Sequence, residues 1–236
     1  MLEYMYLWIC VLLFIPWSII YLLKPNLRNR MIKSGLIAAP FGVIDDIWFR
    51  LDYWNAPEIL FKYPIALEDI LFAFVTTGIA ISIYDAIFTK EQLIFYKKKT
   101  KVTLSFFPII IVCFILLNNV LGLNSMYMWA IPIFIIAVII IFFRKDLLIP
   151  SLVTAILLTL IVIPIYMLLF NVFAPNFWDT YWFLADTKHG ITIFGNVALL
   201  ELLYYFSYGC LAGIIYDYTK GTKKIPNKLG KKLFGS

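Results

Sequence analysis

Glu68, Asp69 and Glu201 stand among apolar residues, where a carboxyl group is costly and therefore informative. Glu201 lies between Leu200 and Leu202, roughly two turns into the last long apolar run, residues 194–218. An ionisable group at that depth in a membrane usually faces the bundle interior or a cavity. A carboxyl shielded from water holds its proton more tightly than one in water, which makes it a competent acid. The plainer alternative is that Glu201 only bonds a neighbouring helix and holds packing. Glu68-Asp69 opens another apolar run, and there the plainer alternative is that acids in a first turn offset the positive helix end. Asp45-Asp46 closes a third run and is either cavity-lining or interfacial. Tyr204, Tyr205 and Tyr208 lie one to two turns beyond Glu201, and helical spacing places two of them on its face. Aromatic faces there could hold a polyene or stabilise a cation, or the hydroxyls could pair between helices.

Other chemistries lack their residues. His189 is the only histidine and sits in the loop stretch Thr187–Gly190, so a multi-histidine metal site is excluded. Cys10, Cys113 and Cys210 each lie within apolar runs without paired spacing, as small buried hydrophobes do. No phosphate loop, dinucleotide fingerprint, nucleophile elbow or paired aspartate-rich motif occurs. The expectation is a site with no metal and no cofactor.

The elements that position these residues are membrane helices. Of 236 residues, 63% are hydrophobic and 14% charged; a soluble domain is nearer half apolar and a quarter charged. Runs near the ~20 residues that a span requires cover 4–23, 31–50, 65–88, 102–121, 126–143, 147–173 and 194–218. The fold expected is all-α and integral to the membrane, with seven transmembrane helices. Pro40 and Pro164 fall inside the second and sixth spans and should bend them. The first span follows Glu3 without a basic cluster or cleavage site and reads as a retained helix. One transmembrane domain over 1–218 and a basic cytoplasmic tail over 219–236 account for the chain.

Basic residues set the direction. Of 20, all but Arg50, Lys62 and Lys188 fall in the odd connections or the tail. Those regions share one side only if the spans number seven, with the N-terminus outside and the C-terminus cytoplasmic. The net charge of +6 is then a topological bias and a contact with anionic lipid headgroups, not a nucleic-acid signal. Trp48, Tyr53, Trp54, Phe177, Trp178, Tyr181 and Trp182 flank the outer connections, as an interfacial aromatic belt would.

Two segments repeat without a gap. Ala66, Leu67, Asp69, Leu71, Phe74 and Ala80 align with Ala198, Leu199, Glu201, Leu203, Phe206 and Ala212. Ile83-Tyr84-Asp85 then matches Ile215-Tyr216-Asp217 outright. The repeat unit is three helices, residues 1–101 and 126–218, and the linking helix 102–121 restores direction so that the repeats run parallel. Sites in such proteins tend to lie between the halves.

Ala66-Leu-Glu-Asp-Ile-Leu-Phe72 resembles the Pro-x-Glu-Glu-x-x-Phe signature of the lycopene cyclase domain family of small membrane carotenoid cyclases. Trp54, Trp178 and Trp182 are similar to the tryptophans of that family's outer loops. Ala66 stands where the family has proline, with Pro64 close by; Asp69 replaces the second glutamate, and Leu200 stands where the second repeat should carry another acid. The resemblance implies a carotenoid or terpenoid cyclase with Glu68, Asp69 and Glu201 as catalytic acids. Asp45, Asp46, Trp54, Phe72, Tyr204, Tyr205 and Tyr208 would line the site of a hydrophobic polyene or isoprenoid substrate. Such an enzyme protonates a terminal alkene, closes a ring on the cation and loses a proton, an isomerisation without redox change. Oligomers or association with other pathway enzymes are compatible with it. The alternatives are a proton-coupled transporter, or a non-catalytic protein that binds a lipid or a partner.

Overall fold

The computed structural model describes residues 2–60 and 65–234, so Lys62 and Pro64 lie outside the described residues. The chain is a mainly helical, multi-pass membrane protein. Its helices are α1 (Met5–Leu23), α2 (Arg28–Asp52), α3 (Leu67–Ala80), α4 (Ile83–Phe88), α5 (Thr100–Phe114), α6 (Ser125–Phe143), α7 (Leu148–Met167), α8 (Phe177–Tyr181), α9 (Leu199–Lys220) and α10 (Lys228–Phe234). Six segments are long and apolar enough to cross a membrane: Leu2–Leu23, Leu67–Phe88, Thr100–Val120, Ser125–Phe143, Lys145–Phe173 and Leu199–Lys220. Helix α2 is of spanning length at 25 residues but carries charges in its first and last turns. The outward faces of the spans expose isoleucine, leucine and phenylalanine, as surfaces solvated by lipid do.

The spans leave regular α-helical geometry at one hydroxyl and beyond two of the prolines. Between α3 and α4 the Ser82 hydroxyl donates to the Gly78 carbonyl at 2.5 Å and to that of Ile79 at 3.2 Å, and the helix breaks there. Pro108 lies in α5 and Pro164 in α7, and each helix continues into a π-helical turn, Ile115–Val120 and Leu168–Phe173.

The long helices pack in two groups of three. In the first, α1 and α2 pack on α3; in the second, α6 and α7 pack on α9; α3 and α9 touch each other. The joints also match. Lys24 leaves α1 with φ −125° and ψ 75°, and a single 3-10 turn, Pro25–Leu27, leads into α2. Arg144 leaves α6 with φ −136° and ψ 72°, and a single 3-10 turn, Lys145–Leu147, leads into α7.

Loops pair across the groups at both ends. At one end Tyr53-Trp54-Asn55 meets Tyr181-Trp182-Phe183 in an antiparallel bridge. The Asn55 N–H donates to the Tyr181 carbonyl and the Phe183 N–H to the Tyr53 carbonyl, both at 2.9 Å. At the other end β1 (Thr89–Ile94) pairs antiparallel with β4 (Thr222–Pro226). A further two-residue pair, β2 (Thr192–Ile193) and β3 (Val197–Ala198), precedes α9. The segment after α9 therefore folds back onto the bundle as β4 and α10. The expected aromatic belt is corrected here. Tyr53, Trp54, Phe177, Trp178 and Trp182 are buried, because the loop bridge folds their rings onto one another and onto the core.

A candidate active site between two equivalent helix starts

Helices α3 and α9 start the same way. Each follows an extended alanine, Ala66 at φ −92° and ψ 141° and Ala198 at φ −64° and ψ 125°, and each places an acid at its third position, Asp69 and Glu201. Glu201 is thus in the first turn, not two turns in. The chain before it is spent on the β2–β3 hairpin, where Phe194 and Gly195 turn with φ of 51° and 89°. The positive end of the helix dipole favours a carboxylate at both places.

Both acids are buried, and both line one small pocket. The Asp69 Oδ1 accepts the phenol proton of Tyr6 from α1 at 2.6 Å, while Oδ2 is buried without a partner. Glu201 accepts from two phenols, Tyr53 on Oε1 at 2.7 Å and Tyr166 of α7 on Oε2 at 2.9 Å. The Tyr53 hydroxyl lies in the loop after α2, and burial beside the Glu201 carboxyl pushes its pKa well above the ordinary phenol value. That phenol stays a donor. The two acids therefore differ: Glu201 has both oxygens supplied with donors, and Asp69 has one oxygen free.

The pocket holds about 40 Å³ and is walled also by Asp45, Asp46, Trp54, Phe72 and Tyr204. Gly42 of α2 lies against the Asp69 carbonyl and the Ala73 methyl, which brings α2 close enough to α3 for Asp45 and Asp46 to reach it. Asp45, Phe72, Ala73 and Tyr204 also line a second cavity of about 610 Å³. Its walls are mostly apolar and come from α2, α3, α5, α6 and α9, and Tyr208 lines it with its hydroxyl 2.5 Å from that of Thr77.

Two residues expected at the site stand apart from it. Glu68 lines neither cavity; its Oε1 accepts the Ile59 and Leu60 N–H groups, both at 2.9 Å, and so ties down the loop after α2. Tyr205 lines neither, its hydroxyl resting 3.1 Å from that of Tyr166.

Other residues join the site without a sequence signal. Tyr6, Tyr53 and Tyr166 lie in three separate stretches, and only folding makes them donors to the acids. Arg50 pairs with Asp46 and Glu58, and oxygens of Asp46, Glu58 and Asp69 lie within 4.8 Å of one another. Three carboxylates at that spacing are the donor set of a hard cation, but the guanidinium already bonds two of them. Burial raises the Glu58 pKa above the usual carboxylate range against the opposing pull of Arg50.

At the far end of the bundle Asp85 and Asp217 share two cations. Arg30 lies 2.5 Å from Asp85 and 3.4 Å from Asp217; Lys224 lies 2.7 Å from Asp85 and 2.8 Å from Asp217.

No family model, curated protein or solved structure matches this chain.

Proposed function

We propose that this protein is an intramembrane cyclase that closes a ring at the end of a linear polyene or isoprenoid, started by a proton from Asp69 and ended by proton loss to Glu201. The observation that carries it is that Asp69 and Glu201, at the same position of equivalent helices, line one small pocket beside a long apolar cavity. The likeness of Ala66–Phe72 to the lycopene cyclase signature points the same way.

The chemistry follows from the hydrogen bonds. Asp69 Oδ2 and Glu68 Oε2 both lack a partner, but of the two residues Asp69 lines the pocket, so its Oδ2 is the atom placed to carry a proton and give it to a terminal alkene carbon. The alkene's π electrons form the new C–H bond and leave a tertiary cation. The next double bond attacks that cation and closes the ring. Glu201, whose charge two phenols support, takes a proton from the carbon beside the new cation, and an alkene re-forms. Atoms and electrons balance without an external reagent. Phe72 and Tyr204 offer ring faces to the passing cation, and the closed aromatic loop bridge keeps water from quenching it.

Seven spans belong to the same proposal, α2 being the second. The matched joints, the matched helix starts and the two cross-paired loops support parallel three-helix repeats about an axis through the bundle. With the basic residues on the cytoplasmic side, the N-terminus is outside and the acids lie toward the outer leaflet. A proton-coupled transporter would need a wet path at both ends. The lattice of Arg30, Asp85, Asp217 and Lys224 fills the space between α4 and α9 at the basic end, which weighs against a path there.

Co-expression in a host that makes linear isoprenoids and polyenes, with products separated by chromatography, tests the reaction. A cyclised product is expected from the native chain and none from Glu201→Gln. Cyclisation retained by a well-expressed Glu201→Gln protein removes Glu201 from the mechanism.

A further inference from the structure

The 610 Å³ cavity differs in character at its two ends. One end is lined by Asp45, Phe72 and Tyr204, next to the acid pocket. The other is lined by Asn29, Arg30, Lys33, Thr100, Thr219 and Lys220. Along α2 from Asn29 to Asp45, and along α9 from Tyr204 to Lys220, the helical rise gives a length of about 24 Å. The volume is in the range that holds one ligand of moderate size, about 300–1,000 Å³.

Only part of the charge at the basic end is paired within the protein. Arg30 is occupied by Asp85 and Asp217. Lys33 and Lys220 are exposed, and among the described residues neither has an ion pair. Asp45, at the opposite end, is the one acid in the lining. A wholly apolar chain would use neither lysine.

We propose that the cavity takes a single-chain isoprenoid with a phosphate-class anionic head, the head held by Lys33 and Lys220 and the far end of the chain presented to Asp69 and Glu201. The inference rests on the cyclase function above and names its substrate class. It is chemically coherent: the protonated alkene is then the one farthest from the head, and the phosphate ester is neither broken nor ionised. Phe41 of α2 and Phe107 of α5, stacked with centroids 5.1 Å apart, form the side wall through which a chain could enter from lipid.

The test measures binding to the full chain in nanodiscs of zwitterionic lipid, with geranylgeranyl diphosphate, geranylgeraniol and a straight-chain alkyl phosphate of similar length. The diphosphate should bind at least about tenfold tighter than the alcohol, in line with charge-assisted phosphate contacts at a partly exposed site. That preference should fall to about twofold in Lys33→Gln/Lys220→Gln, whose exposed positions leave the fold intact by thermal melting. Equal binding of alcohol and diphosphate overturns the proposal. Alkyl phosphate bound as tightly as the prenyl compound overturns the isoprenoid assignment. The double variant Asp69→Asn/Glu201→Gln separates the two proposals, since it should keep the binding preference and lose conversion. Tight, lysine-dependent binding without conversion by the native chain would contradict the cyclase and leave the binding site standing.

Discussion

The Tyr53 phenol donates to Glu201 Oε1 at 2.7 Å, so a loop of the first helix group holds the acid of the second. Together with Tyr166 it fixes the carboxylate between both groups. Tyr53→Phe should leave the ring in place, buried among Trp54 and Trp182, and remove one bond. Conversion should fall about ten- to a hundredfold, with stability lowered by about 1–3 kcal/mol. Turnover and thermal melting of the purified variant check both.

The two acids should fail differently from their neighbour. Asp69→Asn and Glu201→Gln should each lower turnover by about a hundredfold or more while substrate still binds. Glu68→Gln should keep most activity, because its Oε1 serves the Ile59 and Leu60 N–H groups and a glutamine carbonyl can accept the same bonds. Side-by-side turnover in membranes of equal protein content decides it.

Arg30 is buried between Asp85 and Asp217. Arg30→Met should destabilise the protein by about 3–5 kcal/mol, since two buried carboxylates lose a cation. The measurement is the melting midpoint in detergent. An unchanged midpoint would show that Lys224 alone holds both acids.

Close contact of α7 and α9 depends on Gly209, where a Cβ would lie 2.6 Å from the Ala155 Cα. Gly209→Ala should cost about 1–3 kcal/mol, because the obstacle is backbone and cannot turn aside. Gly122, with nothing within 4 Å of such a Cβ but a φ of +66°, is the comparison in which strain acts without a clash.

Much of this was legible in sequence because lipid makes it so. Apolar runs marked the long helices, and the shared register of Asp69 and Glu201 marked the equivalent starts of α3 and α9. What was not legible was contact between distant stretches. Tyr6, Tyr53 and Tyr166 carry no local pattern that marks them as donors to the acids. The Tyr-Trp pairs at 53–54 and 181–182 look like interfacial aromatics in one dimension, yet they cross-pair and bury. Glu201 looked deep because the β2–β3 hairpin reads as apolar as the helix it precedes. Glu68, equal to Asp69 by type and position in the chain, differs by the direction one helical step imposes.

Isotope transfer tests the central claim most directly. Membranes containing the protein, incubated in deuterated water with a linear isoprenoid diphosphate or a linear polyene, should yield a product isomeric with its substrate. That product should carry one deuterium at the carbon that was the chain-terminal alkene, and Asp69→Asn should abolish its formation. A ring product without deuterium, or no product from either substrate with folded native protein, would contradict proton-initiated cyclisation.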